Sequence, residues 1–385
     1  MRTPAGAPVP LRLTIRKKLL PFVKFTKPSL GTVAVIGTII LTSTAVFAVA
    51  IYPMIEKDYY KNAQAEQRAL LRGTREDHAH GLRVVELNHT RADHIPDLSR
   101  FNCLKVCGSH VYYAGLLMFL LCSEELALRT NLLKSMDANL RPLVNLTELD
   151  LYENQIDVIS NLDTLTNLKK LDLSFNRIRE ITGLTALKKL TYLYLVHNKI
   201  TEIKGLENLL ELELLELGDN RIGNIGNVSH LKKLRELYIG KNKIVKIEGL
   251  ENLKDLRLLS MPANRLTNIE NLDALTNLEE IYLSDQGIKD ITSLAVLKKL
   301  RTIDVSNNDI TSFDGISELK ELTDFWANDN RISNWAEIDK LRGLDKLDTV
   351  YLERNPIYDS DRVGYRRKIM LALQQVKQID ATMCR

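Results

Sequence analysis

Cysteine is scarce in this 385-residue sequence, and Cys103, Cys107, Cys122 and Cys384 leave residues 126 to 355 without a thiol. No disulfide framework or paired-cysteine metal spacing can staple that region. The cysteine-closed ends usual in extracellular repeat proteins are missing too, which points to a reducing compartment. Histidine is sparse: His78, His80, His89, His94, His110, His197 and His230 form no HExxH pair. There is also no GxSxG elbow and no GxxxxGK[ST] phosphate loop. His78 and His80 would share one face of a strand, but the adjacent Glu76 and Asp77 read as a charged linker, not as further ligands. The expectation is a non-enzymatic chain without metal or cofactor. Glycine (18) and proline (10) are too few for a collagenous or low-complexity chain.

Acidic residues are absent from the first 55 positions, which hold Arg2, Arg12, Arg16, Lys17, Lys18, Lys24 and Lys27. The formal charge of +4 therefore belongs to this leader, and the remainder nets 4 − 7 = −3. Such a body is not a polyanion-binding surface, so nucleic acid is not an expected partner. From Leu30 to Tyr52 run 23 uncharged residues, long enough for a membrane-spanning helix behind a basic flank. The basic, acid-poor start also resembles a mitochondrial targeting segment. The stretch AVFAVAIYPMIEKDYYKNAQAEQRA, residues 45–69, resembles a small mitochondrial inner-membrane assembly protein. The competing account is that two neighbouring genes have been joined.

A 22-residue period dominates the remainder of the chain. LDLYEN at 149 recurs as LDLSFN at 171, LYLVHN at 193, LELGDN at 215, LYIGKN at 237, LSMPAN at 259, IYLSDQ at 281, IDVSNN at 303 and FWANDN at 325. After three extra residues comes VYLERN at 350. The two apolar residues of each LxL piece should point inward from a short strand while the residue between them points out. The closing asparagine should bond backbone groups that the turn leaves unpaired, forming a ladder. Such units bury their apolar faces only by stacking, so the fold expected is α/β: a leucine-rich-repeat solenoid with a curved parallel sheet. A degenerate unit is visible at Leu126–Asn131 and an earlier one at Val85–His89. Ile369, Met370, Leu373 and Val376 predict a C-terminal capping helix over Tyr365 to Val376. The domain reading is thus 1–72, basic leader with hydrophobic helix; 73–125, degenerate first repeat; 126–355, repeats; 356–385, cap. The run Val111–Cys122 fits no slot, is too short to span a bilayer, and reads as an insertion, retained intronic sequence being one source.

The outward strand residues are Asp150, Asp172, Tyr194, Glu216, Tyr238, Ser260, Tyr282, Asp304, Trp326 and Tyr351. Five are aromatic and four acidic, in a chain only 6% aromatic, and none is basic. Tyrosine suits strands in general. Strand propensity does not account for the interspersed carboxylates, whereas a protein-docking face uses both: rings as anchors and acids against a partner's cations.

The 22-residue units together with FWANDN, LDTVYLERNP and the closing YRRKIMLALQQVKQIDAT closely resemble the leucine-rich-repeat regulatory subunits of protein phosphatase-1, the regulatory-subunit-7 family, over about residues 82–105 and 126–385. The resemblance implies a non-catalytic subunit that binds the phosphatase catalytic chain on its concave face and acts in phosphatase maturation, with a second inhibitory subunit, in nucleus and cytoplasm. It places contacts on Asp172, Tyr194, Glu216, Tyr238, Asp304, Asp324, Trp326 and Tyr351. Tyr194 and Tyr238 stand where the family commonly has phenylalanine, and Asp324 where it has glutamate. Residues 1–72 and 106–124 have no counterpart in the family; if the hydrophobic leader is genuine, a membrane-anchored scaffold, for instance in the mitochondrial inner membrane, is the alternative. Arg362-Val363-Gly364-Tyr365 is a near miss for the basic-valine-x-aromatic peptide by which many phosphatase-1 partners dock.

Overall fold

The computed structural model describes residues 84–86, 88–89, 91, 93–95 and 124–384, all within one compact unit, Asp77–Arg385. The expected hydrophobic helix at 30–52 and the run Val111–Cys122 lie outside the described residues. Among the described residues no helix is long and apolar enough to cross a membrane.

Each unit contributes one three-residue strand, as the short LxL motif dictates. In order these are β1 Val84–Glu86, β2 Glu125–Ala127, β3 Glu148–Asp150, β4 Lys170–Asp172, β5 Tyr192–Tyr194, β6 Leu214–Glu216 and β7 Glu236–Tyr238. They continue as β8 Leu258–Ser260, β9 Glu280–Tyr282, β10 Thr302–Asp304, β11 Asp324–Trp326 and β12 Thr349–Tyr351, followed by the two-residue β13 Gln378–Ile379 and β14 Thr382–Met383. Neighbours in sequence are neighbours in the sheet, parallel throughout except for the final β13–β14 hairpin. Glu125 pairs with Val84 across 41 residues, against 22 between Glu148 and Lys170, an excess of 19. That excess equals the length of segment 106–124.

The core is one continuous apolar column. Leu171 and Leu173 are fully buried, and so are Leu193, Leu195, Leu215 and Leu217 in the following units. Replacing one of them by alanine would remove roughly 2–5 kcal/mol. Behind the strands the described residues form mostly turns and short 3-10 segments, so the α/β description needs correcting: among the described residues helices are few. The cause is the spacing of the filling residues. Ile178, Ile181, Leu184, Leu187 and Leu190 recur every third position, matching the three residues per turn of a 3-10 helix better than the 3.6 of an α-helix. Accordingly Leu187 N–H donates to Leu184 C=O and Leu190 N–H to Leu187 C=O, each at 3.0 Å. Where three residues are added, between β11 and β12, a short α-helix fits, α1 Ala336–Asp339.

The asparagine ladder is as the sequence requires. Asn176 Nδ2 donates to the carbonyls of Leu151 (3.0 Å), Leu173 (3.1 Å) and Ser174 (3.1 Å), and its Oδ1 accepts from Ile156 N–H at 2.9 Å. Gln286, the one exception to asparagine from 154 to 330, still accepts from Leu266 N–H at 2.9 Å and donates to Met261 C=O at 2.8 Å. The residue before each rung is left-handed in every unit: Glu153, Phe175, His197, Asp219 and their equivalents from Thr130 to Arg354 have φ between 52° and 58°. The next unit's carbonyls hold this turn, as when Phe175 N–H donates to Val196 C=O at 2.7 Å. Where the chain turns behind the strands, Gly205 has φ +76°, and a Cβ there would lie 2.2 Å from Ile181 C=O.

The cap is α2 Pro356–Ser360, α3 Tyr365–Ala372 and the β13–β14 hairpin. Ile369, Leu373 and Val376 close the last unit, but the helix stops at Ala372, short of the expected Val376, because Leu373 leaves helical geometry at φ −121°, ψ 77°. The chain then adds the parallel strand β13 to β12. Arg366 fastens the hairpin by donating to Ile379 C=O (3.0 Å), Thr382 C=O (3.1 Å) and Met383 C=O (2.7 Å).

Candidate protein-docking face

The strands present two parallel rows of side chains on the side away from the core, because residues two apart on a strand share a face. The first row is set by register alone: Asp150, Asp172, Tyr194, Glu216, Tyr238, Ser260, Tyr282, Asp304, Trp326 and Tyr351 are successive cross-strand partners. All are half-buried except Asp304, which is 9% exposed. Seven of the eight residues singled out by sequence fall on this row. Asp324 does not; it belongs to the second row, beside Trp326 on β11.

The ring-bearing end is a packed cluster. Tyr282 and Trp326, two strands apart, lean together over the intervening Asp304 with centroids 6.2 Å apart, and Trp326 meets Tyr351 edge-on at 6.0 Å. Asp304, beneath these rings, is the most buried residue of the row. Its carboxylate accepts from Ser306 N–H at 3.0 Å and Ser306 Oγ at 2.5 Å. Asp172 and Asp150 likewise accept from the backbone two residues on, at 2.9 Å from Ser174 and 3.1 Å from Tyr152. These aspartates therefore also close the strand ends, a local role that Asp-x-Ser and Asp-x-Tyr could have signalled. Arg129 donates to Asp150.

Burial raises the carboxyl pKa of Asp172 above its ordinary value. Glu216 is raised too, chiefly by burial and further by the charge of Asp172. Burial likewise pushes up the hydroxyls of Tyr194, Tyr238 and Tyr282, and in the last two a neighbouring glutamate adds to it. Tyr238 donates its hydroxyl proton to Glu236 at 2.9 Å and Tyr282 to Glu280 at 2.7 Å. Tyr351 Oη instead accepts from Gln378 Nε2 at 2.8 Å. The indole Nε1 of Trp326 is buried without an acceptor.

Of the second row, Glu148, Lys170, Tyr192, Leu214, Glu236, Leu258, Glu280, Thr302, Asp324 and Thr349, sequence reasoning named Asp324 alone. The signal was present, since each strand begins one residue before the LxL motif and that residue also faces outward. The near-miss docking peptide fails on geometry: Val363 is 98% exposed, but Tyr365 is only 3% exposed, packed edge-on against Tyr358 at 4.9 Å. Among the described residues no group of histidine, cysteine or carboxylate side chains is placed to hold a metal ion.

Comparison with known proteins agrees with the fold. A profile of paired leucine-rich repeats matches residues 144–186, 166–208 and 210–252, and a second leucine-rich-repeat profile matches 252–385. The human protein phosphatase 1 regulatory subunit 7 is 54% identical over 52 residues, 14% of this chain and 14% of that protein. The Caenorhabditis elegans protein phosphatase 1 regulatory subunit SDS22 homolog is 63% identical over 46 residues, 12% of this chain and 13% of that protein. The matched stretch thus spans about a seventh of these relatives. In fold the chain is similar to an internalin (InlF) from Listeria monocytogenes, with TM-score 0.58 and 24% identity, over 70% of this chain and 83% of that one. It is also similar to a leucine-rich-repeat protein of Leptospira interrogans, with TM-score 0.51 and 23% identity, over 68% and 79%. With its stacked parallel strands and asparagine ladder, the chain is a non-enzymatic protein-interaction scaffold and belongs to the leucine-rich-repeat proteins.

Proposed function

We propose that this chain is a regulatory subunit of protein phosphatase-1, holding the catalytic subunit on its strand face through Asp172, Tyr194, Glu216, Tyr238, Asp304, Asp324, Trp326 and Tyr351. The observation that carries the reading is the in-register row of rings and carboxylates across β4–β12, without a single cation. Rigid rings supply contact area at low entropic cost, and unpaired acids select a basic partner. The short, strong matches to phosphatase-1 regulatory subunits support the choice of partner. Trp326, at the centre of the ring cluster, should act as an anchor, so Trp326→Ala is expected to weaken capture of the purified catalytic subunit by at least about 2 kcal/mol. Unchanged affinity in a folded variant would remove the assignment. The cellular site that goes with this role is nucleus and cytoplasm, and comparing the full chain with one beginning near Gly81 tests whether residues 1–80 redirect it.

A further inference from the structure

The second row of the strand face carries a pattern of its own. On β5 to β9 it reads Tyr192, Leu214, Glu236, Leu258, Glu280, each the direct cross-strand partner of the next. Tyr192 is 39% exposed and the other four are half-buried, so three apolar surfaces and two carboxylates lie open at successive strand spacings of about 4.8 Å. Earlier in the row the chain satisfies such a carboxylate itself: Lys170 on β4 reaches Glu148 on β3 at 3.3 Å. Glu236 and Glu280 have no such cation among the described residues. The nearby arginines are committed elsewhere, Arg235 to Glu213 at 3.0 Å and Arg257 to Glu279 at 3.6 Å. Each free carboxylate is held in place because its Oε2 accepts the hydroxyl proton of the first-row tyrosine on its own strand.

We infer that this row is a second line of the docking face, taking a basic amphipathic surface of the protein partner. Its apolar side chains rest on Tyr192, Leu214 and Leu258, and its lysines or arginines reach Glu236 and Glu280. The inference rests on the phosphatase-docking proposal and adds to it residues that the family resemblance does not mark. Charge complementarity fixes the occupant: a long basic side chain lays its methylene stem over Leu258 and its head between two pre-oriented carboxylates. An acidic or phosphate-bearing partner would meet unneutralised negative charge.

The test is the full chain carrying Glu236→Gln and Glu280→Gln, since glutamine keeps an acceptor for each tyrosine hydroxyl and removes only the charge. Binding to the purified phosphatase-1 catalytic subunit, and separately to pentalysine, is measured over a salt series, with thermal unfolding as the folding control. At low salt at least tenfold weaker phosphatase binding and a shallower salt dependence are expected, with loss of pentalysine binding. Wild-type affinity and salt slope for both probes in the double variant would overturn the inference. If the wild-type chain binds pentalysine through these glutamates but not the phosphatase, the row stands and the choice of phosphatase falls; if it binds neither, the row falls as well.

Discussion

Asn220→Ala is the sharpest probe of what holds the repeats together. Asn220 is 8% exposed, and its Nδ2 donates to Leu195 C=O at 2.9 Å, Leu217 C=O at 3.1 Å and Gly218 C=O at 3.1 Å. Its Oδ1 accepts from Ile200 N–H at 3.0 Å, the only bond that buried amide makes. The two leucine carbonyls would not be orphaned, since Asn198 still donates to Leu195 and Asn242 to Leu217. The cost is therefore set by Ile200: an orphaned buried donor is worth about 1–3 kcal/mol, and the shared bonds add about 1 kcal/mol, giving about 2–4 kcal/mol. Asn220→Gln should lose clearly less, because Gln286 keeps both the incoming and one outgoing bond of its rung. Urea unfolding of the three proteins measures the difference, and hydrogen exchange at the Ile200 amide localises it. A cost below about 1 kcal/mol for alanine, or equal costs for alanine and glutamine, would refute the ladder as a stabilising element.

The docking face carries two further expected outcomes. Trp326 Nε1 lacks an acceptor, whereas Tyr238 and Tyr282 each have a glutamate two residues earlier; Asp324 is one methylene shorter and is engaged by Thr323 Oγ1 at 2.7 Å. Asp324→Glu should reach the indole and raise stability by about 1 kcal/mol, and the gain must vanish in a Trp326→Phe background. The raised carboxyls of Asp172 and Glu216 favour the protonated folded chain, a contribution present below their unfolded pKa and lost as pH rises through the folded one. A cationic partner lowers both pKa values. Association should then release protons and strengthen as pH rises through and above the ordinary carboxylate range; calorimetry in buffers of different ionisation enthalpy reads the sign, and proton uptake would contradict the basic-partner reading.

What the sequence made legible is what each unit repeats for itself. The inward leucines, the asparagine rung and its tolerance of Gln286 arise from one unit's pattern, and so does the first-row alignment, because a constant 22-residue step fixes the register. The left-handed corner was not legible. Phe175, His197, Asp219 and Lys241 share no side-chain chemistry and none is glycine, so the conformation is imposed by carbonyls of the following unit. Helix content is hard to read for a different reason: apolar spacing of three passes for generic filling, although it discriminates between 3-10 and α geometry. At the C-terminus, Gln378 and Ile379 resemble the tail of a helix; their pairing with Thr349 and Val350 depends on a turn that helical periodicity does not foresee.

The same logic separates fold from recognition on the strand face. Backbone pairing, inward leucines and the asparagine ladder set the position of every outward side chain, so Glu216, Tyr194 and Trp326 can change without altering register. The aspartates are different in kind: Asp150, Asp172 and Asp304 hold the N–H two residues on, which fixes their carboxylates before any partner arrives. Tyr238 and Tyr282 are fixed in the same sense through Glu236 and Glu280. Side chains already ordered lose less conformational freedom on docking, roughly 0.5–1.5 kcal/mol for each that would otherwise be immobilised. A strand face that is half-buried, in register and internally hydrogen-bonded is thus pre-organised for a rigid partner, and its selectivity resides in which acids are left without a cation of their own.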